Sequence, residues 1–357
     1  MQTFPEQGEA NRLLSAALSE GPAHAYLFHG PPGVGKRRAA LTFAGELIGD
    51  PGRVERRAHP DLYVLEPLGD QIRIDAVRDL RHDLHMRPFE AERRVYLVFG
   101  AHSLNDEAAD ALLKDLEEPP AYAVIVLVAD DLGPLPETIR SRCQLVSFRR
   151  LAEKTVREEV ASRAPGLSEA EQKALARVAG GRLDRVDRML DPKAAKRRDA
   201  LLEVARSVYA DTEFEPADAA DVLMGIAGDR AAEAKARALE ENEQLELPAR
   251  EAEQRVRRAA RGAEREELLL CLEELAAWYR DLVVVGLGAE GAAVHVDRIE
   301  QLREDAVRDR VPGAEAAAEV VRETWRMFEE YQLQAGLMLE ALFVKLRREL
   351  AGAVATR

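Results

Sequence analysis

Apolar residues in the first 150 positions form short runs, separated by longer stretches in which they recur at helical spacing. Such runs predict strands of a parallel sheet, because strands buried on both faces lack polar alternation. The predicted strands are Ala25–Phe28, Leu62–Leu65, Val95–Val98, Val124–Val128 and Leu145–Phe148. The predicted helices between them are Ala10–Leu18, Arg37–Leu47, Ile74–Leu84 and Asp106–Leu116. This alternation predicts an α/β domain over residues 1–150, with a parallel sheet and flanking helices.

The strand pattern disappears after Leu151, and the remaining sequence favours helices. Ser168 and Glu171 have the spacing of a capping box at a helix start, and Gly180-Gly181 is typical of a helix end. Two further predicted helices are Arg182–Leu190 and Ala194–Val208. The sequence therefore predicts a three-helix domain over residues 151–208 and an all-α C-terminal domain over 209–357.

Two apolar stripes at helical spacing predict the core and subunit-packing faces of the C-terminal domain. They consist of Leu268, Leu269, Cys271, Leu272, Leu275 and Trp278, and of Leu337, Leu339, Leu342, Phe343, Leu346 and Leu350. The segment Asp229–Glu267 differs, because 20 of its 39 residues are charged and Pro248 interrupts it. A solvated helix pair, a partly disordered connector and an interaction surface all remain open for this segment.

The net charge of −14 and the absence of a basic block disfavour autonomous DNA binding. A DNA contact shared with partner subunits stays open. The two cysteines, Cys143 and Cys271, are too few for a disulfide framework or a four-thiolate zinc site, and no metal site is predicted. The chain starts without a signal-peptide pattern and has no membrane-length apolar run, so we expect a cytoplasmic protein without a membrane contact.

The segment Gly30–Arg37 matches a phosphate-binding loop, G-x4-G-K-[ST], at all but its last position. It follows a predicted strand and opens a predicted helix, so backbone N–H groups can converge on a phosphate. The candidate phosphate-binding residues are Gly30, Gly33, Gly35 and Lys36. Arg37 replaces the Ser or Thr that would ligate Mg²⁺, and a guanidinium cannot ligate a cation. Weak nucleotide binding and a loop kept only as a sheet-to-helix turn remain alternatives.

The carboxylates needed for hydrolysis are also missing. They would follow the strand Val95–Val98, where the sequence continues with Phe99-Gly100-Ala101-His102. His102 is a poor substitute and is interpreted as a structural or surface histidine. We therefore expect no ATP hydrolysis by this chain alone and no required cofactor, with ATP bound weakly at most.

Three motifs together resemble the clamp-loader ATPases of bacterial DNA polymerase III. The chain has AHAYLFHG at 23–30, ALLKDLEEPP at 111–120 and TIRSRC at 138–143, the last similar to the family's SRC motif. Their order and spacing match the family across about residues 1–150. The resemblance implies an AAA+ P-loop module, a small helical lid and a helical collar that mediates oligomerisation.

Within that family the residues resemble delta-prime subunits more than the ATP-hydrolysing gamma and tau subunits. Gamma and tau keep the P-loop Thr, an Asp-Glu pair and a four-Cys zinc module, whereas this chain has Arg37, Phe99-Gly100 and a cysteine-free segment at 49–60. The family's polar sensor is replaced by Ala129-Asp130. The resemblance implies a clamp-loader component with a degenerate ATPase site, whose partners are gamma/tau and delta subunits, the sliding clamp and primed DNA. DNA synthesis by the holoenzyme would belong to another subunit.

The resemblance also implies a role for Arg142 with Ser141, in the SRC motif. The arginine of this motif acts in trans as an arginine finger on ATP held by a neighbouring subunit, and its planar guanidinium suits phosphate oxygens. The local sequence alone favours an ordinary surface arginine at a strand entrance, and only the resemblance favours the arginine finger. Cys143 is predicted to be a buried small side chain. Arg185 lies near the family's second sensor, and Arg182 is an alternative.

Glu117-Glu118-Pro119-Pro120 is interpreted as a helix-terminating turn rather than a catalytic pair. Two alternative functions stay open at this point. The chain could be a catalytically active gamma/tau-like ATPase that tolerates these replacements, or a nucleotide-binding adaptor unrelated to replication.

Overall fold

A computed structural model of the protein describes residues 4–69, 71–245, 249–331 and 334–352. Five strands form one sheet in the order β2-β3-β4-β1-β5, and every adjacent pair is parallel. The strands are β1 Ala25–His29, β2 Leu62–Leu65, β3 Arg94–Phe99, β4 Ala123–Ala129 and β5 Gln144–Ser147. The predicted α/β fold class is confirmed, and each strand lies within one or two residues of its predicted bounds.

Seven helices accompany the sheet. They are α1 Gly8–Glu20, α2 Lys36–Ile48, α3 Pro51–Glu55, α4 Ile74–Leu84, α5 Asp106–Glu117, α6 Glu137–Arg140 and α7 Glu153–Arg163. The period-two alternation of β1 divides its side chains between two cores: Tyr26 and Phe28 pack on one side of the sheet, and Leu27 packs on the other. β3 and β4 are buried along their whole length, which explains their uninterrupted apolar sequence.

The rest of the described chain is helical. The helices are α8 Glu169–Ala179, α9 Leu183–Leu190, α10 Pro192–Ala210, α11 Pro216–Leu245, α12 Ala249–Gly286, α13 Ile299–Asp305, α14 Val311–Glu330 and α15 Ala335–Gly352. The two predicted apolar stripes supply much of one core, in which Trp278 and Phe343 are fully buried. Nowhere in the described ranges does a helix combine the length and apolar character of a membrane span.

A buried charged cluster lies around His295 in the C-terminal region. Its Nδ1 lies 2.8 Å from Asp281 Oδ2, and its Nε2 lies 3.3 Å from Glu274 Oε1. Burial alone would lower the pKa of His295, but the two carboxylates outweigh burial and raise it to about 9. The imidazolium and its carboxylates therefore form a paired buried charge, which connects α12 to the loop before α13.

The chain divides into two compact units: residues 1–166 with 179–186, and residues 167–178 with 187–357. The predicted division at residues 150 and 208 stays a prediction. Between those positions the structure contains α7, α8, α9 and α10, one helix more than the sequence indicated. The missed helix is α7, EKTVREEVASR, in which Val156 and Val160 are the only two large apolar residues and give too weak an apolar stripe. The predicted capping box is present, since Glu171 N donates to Ser168 Oγ at 3.3 Å and Ser168 N donates to Glu171 Oε2 at 2.8 Å.

Candidate functional site

The phosphate loop lies at the carboxyl end of β1, between that strand and the first turn of α2. Ligands of open α/β sheets commonly bind at this edge, where the chain connections on neighbouring strands diverge. Gly30, Gly33 and Gly35 have φ angles of 137°, 69° and 95°, which side chains with a Cβ rarely adopt. The backbone therefore keeps the glycine geometry of a P-loop, as the sequence indicated.

Lys36, the residue that would neutralise a bound phosphate, is directed inward and is 4% exposed. Its Nζ donates to the carbonyl oxygens of Gly30 and Pro31, each at 2.5 Å, and lies 2.7 Å from Asp130 Oδ1. A lysine ammonium has three N–H donors. Three oxygen atoms of the chain itself therefore satisfy all the donors of Lys36.

The environment of Lys36 has opposing effects on its charge. Burial lowers the pKa of Lys36, and Asp130 raises it through its charge and its hydrogen bond, with a net lowering. Asp130 follows β4 at the position of the family's polar sensor. It does not face an empty phosphate site, because it is the counterion of the loop lysine.

The glycines of the loop are covered by other parts of the same unit. An added Cβ at Gly33 would overlap the Asp184 carboxylate, and one at Gly35 would lie 2.6 Å from the Phe4 ring. Leu183 N donates to Gly33 O at 2.7 Å, which attaches the start of α9 to the loop. Two glycines of the P-loop are thus packed against other parts of the same unit at the position of a Cβ.

Asp184 is held in this position by Arg182. Arg182 Nη2 donates to Asp184 Oδ2 at 2.7 Å, and Arg182 is 6% exposed. Burial raises the pKa of Asp184, but the hydrogen bond and charge of Arg182 outweigh burial, so the carboxylate stays ionised well below neutral pH. Of the two candidate sensor arginines, Arg182 is therefore used to hold the acid that covers Gly33. Arg185 contributes to the same lowering of the Asp184 pKa.

The position of the missing Mg²⁺ ligands is also occupied by a different interaction. The Arg37 guanidinium lies 4.2 Å from the centroid of the Phe99 ring and pairs with Glu66, while Arg57 pairs with the same carboxylate at 3.0 Å. A guanidinium on an aromatic face is a favourable cation–π contact. Because a cationic side chain stands where a metal ligand is required, these residues do not fit a magnesium–nucleotide complex.

His102 has a structural role beside this loop. Its Nδ1 accepts a hydrogen bond from Asp130 N at 3.1 Å, and burial lowers its pKa. A neutral imidazole is required for that acceptor role. The interpretation of His102 as structural agrees with this geometry.

Arg142 lies outside the P-loop cluster, just after α6. Its Nε donates to Glu117 Oε1 at 2.7 Å, Nη2 donates to the same oxygen, and Nη1 donates to Thr138 O at 2.8 Å. The side chain is 32% exposed. A guanidinium has five N–H donors, so two of them have no acceptor among the described residues. Arg142 is therefore oriented from behind and retains donors that can meet an external anion.

The neighbours of Arg142 are structural. Ser141 Oγ donates to Thr138 O at 3.2 Å and completes the turn after α6. Cys143 is buried, and burial raises the pKa of its thiol to about 12, so it is no thiolate nucleophile at neutral pH. Sequence reasoning did not identify the role of Glu117. It ends α5 as predicted, and it also connects the LEEPP segment to the SRC segment by its pairing with Arg142.

Phe4, Glu66 and Asp184 were also missed. Each lies more than 25 positions from the P-loop residue that it covers or pairs with, and no local pattern indicates such a contact. Only the spacing of Arg182 and Asp184 after Gly180-Gly181 gives a weak signal, because a helix start often carries an acidic residue.

Comparison with known proteins agrees with the motifs. Residues 6–152 match the family model "DNA polymerase III, delta subunit". The delta' subunit of DNA polymerase III from Bacillus subtilis is 32% identical over 150 residues, which is 39% of this chain and 46% of that protein. The tau subunit of the same organism is 33% identical over 156 residues, which is 40% of this chain and 28% of that protein. The chain therefore spans less than half the length of either relative.

A solved structure of a gamma subunit-related protein from Thermotoga maritima aligns over 96% of this chain and 99% of its own, with 16% identity and a TM-score of 0.45. The five-stranded parallel sheet, with its P-loop after β1, is the AAA+ fold that the motifs implied. Residues 6–152 of the chain, which make up this AAA+ sheet and its helices, are similar in sequence to delta' and tau subunits of DNA polymerase III.

Proposed function

We propose that this protein is a delta-prime-type subunit of a clamp loader, which helps to load the sliding clamp onto primed DNA and does not hydrolyse ATP itself. In this proposal it assembles with gamma/tau and delta subunits through its helical C-terminal domain. It supplies Arg142 to ATP bound by a neighbouring subunit. ATP is neither required nor used as a cofactor in its own P-loop.

The observation that carries the proposal is the arrangement of Lys36. A P-loop lysine assists catalysis by donating to the outer phosphates of a nucleotide. Here the buried ammonium is shared among Gly30 O, Pro31 O and Asp130 Oδ1. Nucleotide binding through Lys36 would have to break this arrangement. Metal binding has no support either, since Arg37 stands at the ligand position.

Arg142 supports the second half of the proposal. Its guanidinium is partly exposed and is oriented by Glu117 and the Thr138 carbonyl. An arginine supplied in trans stabilises charge that develops on the transferred phosphoryl group. Such an arginine should be fixed at its base and free at its outer edge, as Arg142 is.

The test is ATP turnover by a loader reconstituted from this protein, gamma/tau and delta subunits, with clamp and primed DNA. Arg142→Ala should lower turnover by about 10³-fold, the lower end of the range for an arginine finger, while the complex still assembles. Arg140→Ala, two positions earlier, is the matched control and should leave turnover within about two-fold, since the rate effect of an arginine finger requires its contact with the phosphates. Unchanged turnover in Arg142→Ala with an assembled complex would remove the catalytic role from this chain.

The gamma/tau-like alternative is kept because the tau relative is as similar as the delta' relative. It predicts Mg²⁺-dependent ATP turnover by the isolated chain and its loss in Lys36→Met. The present proposal predicts no turnover above a protein-free control in either case. An adaptor unrelated to replication would instead fail to assemble with gamma/tau and delta subunits.

A further inference from the structure

The charged segment around residues 229–267 forms a two-helix arm. Asn242 Nδ2 donates to Ala252 O at 3.0 Å, Arg255 pairs with Glu241 at 2.8 Å, and Arg230 lies 3.8 Å from Glu267. From one pair to the next, the residue number rises in α12 as it falls in α11, so the two helices run antiparallel. The predicted interruption at Pro248 lies outside the described residues.

The arm extends beyond the hydrophobic core of its unit. The core includes Ala227 as its last residue from α11 and Leu268 as its first from α12. Between these positions, the buried described side chains are Ala238, Asn242, Val256 and Glu267. We define the arm as residues 228–245 and 249–267. Small apolar side chains and a few polar contacts hold its helices together, so its exposed side chains contribute little to packing.

The charges on the arm are separated by helix. The α12 part of the arm, residues 249–267, has six arginines and five glutamates, and five of these arginines but only two of the glutamates lie within 249–263. The α11 part, residues 228–245, has three basic and five acidic residues. In a chain with a net charge of −14, the α12 part is a local reversal of sign.

Helical geometry collects the arginines on one face. At 3.6 residues per turn, Arg250, Arg258 and Arg261 lie about 120° to 200° around the helix axis from the inward-facing Val256. The face contains Arg250, Gln254, Arg257, Arg258, Arg261 and Arg265. With a rise of 1.5 Å per residue, the row from Arg250 to Arg261 is about 16 Å long. The carboxylates of this part of α12 flank the row.

Three of these arginines form no ion pair within the described arm. Arg257 pairs with Glu253 and Arg265 lies over the Phe328 ring, but Arg250, Arg258 and Arg261 have no hydrogen bond or ion pair with any residue in the described ranges. Charges that hold two helices together face the partner helix, as Arg255 does toward Glu241. Arg250 and Arg261 are exposed and Arg258 is half-buried, so this part of the row has guanidinium groups available to something outside the chain.

We propose that this face of α12 binds the phosphodiester backbone of a nucleic acid. Arginine donates in a planar fork that matches phosphate oxygens, and the phosphates of each duplex strand are spaced about 3.4 Å apart along the helix axis. A straight row about 16 Å long can therefore follow one strand over several phosphates. Gln254 in the middle of the row adds an uncharged donor. No base-reading geometry is implied, so binding is independent of sequence.

The test is fluorescence anisotropy of the full chain with a labelled DNA duplex of about 20 base pairs and with the matching single strand, at about 50 mM salt, where phosphate contacts are strong. The variant replaces Arg250, Arg258 and Arg261 by Gln. Its affinity should fall at least about ten-fold, and the slope of log affinity against log salt should become shallower by about 3 for the duplex. The two DNA forms show which backbone the row prefers.

The matched control replaces Arg308, Arg322 and Arg348 by Gln, which are exposed arginines of the same unit outside the arm. This control has the same net charge as the test variant. It should bind DNA within about two-fold of wild type, because its removed charges lie outside the proposed phosphate contacts. Equal weakening in both variants, or no arginine-dependent DNA binding, would overturn the proposal. Arm-dependent binding of poly-glutamate without binding of DNA would overturn it too and assign the row to an acidic protein partner. Neither readout uses ATP, so this result is separate from the proposed loader function.

Discussion

Lys36 and Arg142 are two cations in the same AAA+ unit, and they differ in how many of their N–H groups are hydrogen-bonded to the chain itself. Lys36 is buried and donates all three N–H groups to Gly30 O, Pro31 O and Asp130. Arg142 is partly exposed and donates three of its five N–H groups to Glu117 and the Thr138 carbonyl. The first site is closed by its own chain, and the second has donors left for a ligand.

This difference shows how one fold can lose a reaction in its own site and keep a role in a neighbour's site. The P-loop motif and the SRC motif are both recognisable in the sequence, so motif presence alone does not separate them. What separates them is the number of unsatisfied donors. A buried ammonium with three protein acceptors stabilises the fold, whereas a guanidinium with a free edge is available to an external phosphate.

The largest expected effect on the closed site comes from Lys36→Met. The substitution leaves Asp130 without its counterion and two backbone carbonyls without a donor in a buried place. We expect a loss of about 2 kcal/mol of unfolding free energy, or roughly 30-fold in the folding equilibrium. Urea denaturation of the isolated chain measures it. In a working nucleotide site, the same substitution would mainly affect nucleotide affinity.

Lys154→Met is the matched control, because the Lys154 side chain is 78% exposed and its nearest carboxylate is 3.9 Å away. An exposed pair of this kind contributes at most about 1 kcal/mol, and often nothing measurable. Equal destabilisation by the two substitutions would contradict the structural role of Lys36. An unchanged Lys36→Met stability would mean that the lysine is not held by the chain in solution.

The next effect concerns the open site. Glu117→Gln removes the charge that orients Arg142, while the Thr138 carbonyl still accepts from Nη1. We expect loader turnover to fall about ten-fold, less than for Arg142→Ala, because the arginine remains but samples more orientations. Glu118→Gln is the control, since Glu118 is the next residue and is exposed. A Glu117→Gln loader as active as the Glu118→Gln loader would show that Arg142 needs no orienting partner.

Much of the fold was predictable from the sequence, because its signals are local. β3 and β4 are apolar throughout since both sheet faces are covered, and the Ser168–Glu171 capping box needs only two residues three positions apart. Helix α7 was missed because its local signal is weak and consists mainly of Val156 and Val160. The family motifs located the P-loop and Arg142 for a similar reason, since each motif is contiguous.

The contacts made by the P-loop residues and by Arg142 were mostly not predictable from local sequence signals. Arg37 and Phe99 could be recognised as wrong for Mg²⁺ from their residue types alone. Other features of the site depend on contacts between distant parts of the chain. Asp130 neutralises Lys36, Asp184 covers Gly33, and Glu117 orients Arg142. Such contacts carry no sequence period, so they become visible only when the elements are placed in space.

The smallest expected effect is that of Asp130→Asn, and it tests whether the lysine's counterion or the whole loop closes the site. Asparagine keeps an acceptor for Lys36 but removes the charge, and Asp130 is 45% exposed, so water screens part of the pair. We expect a loss of about 1 kcal/mol by urea denaturation, and no binding of a fluorescent ATP analogue, since Asp184 and Phe4 still cover the glycines. Asp110→Asn, an exposed substitution on α5, should change neither measurement. Nucleotide binding gained in Asp130→Asn alone would mean that a single ion pair keeps the P-loop closed, and the contrast between Lys36 and Arg142 would then reduce to one carboxylate.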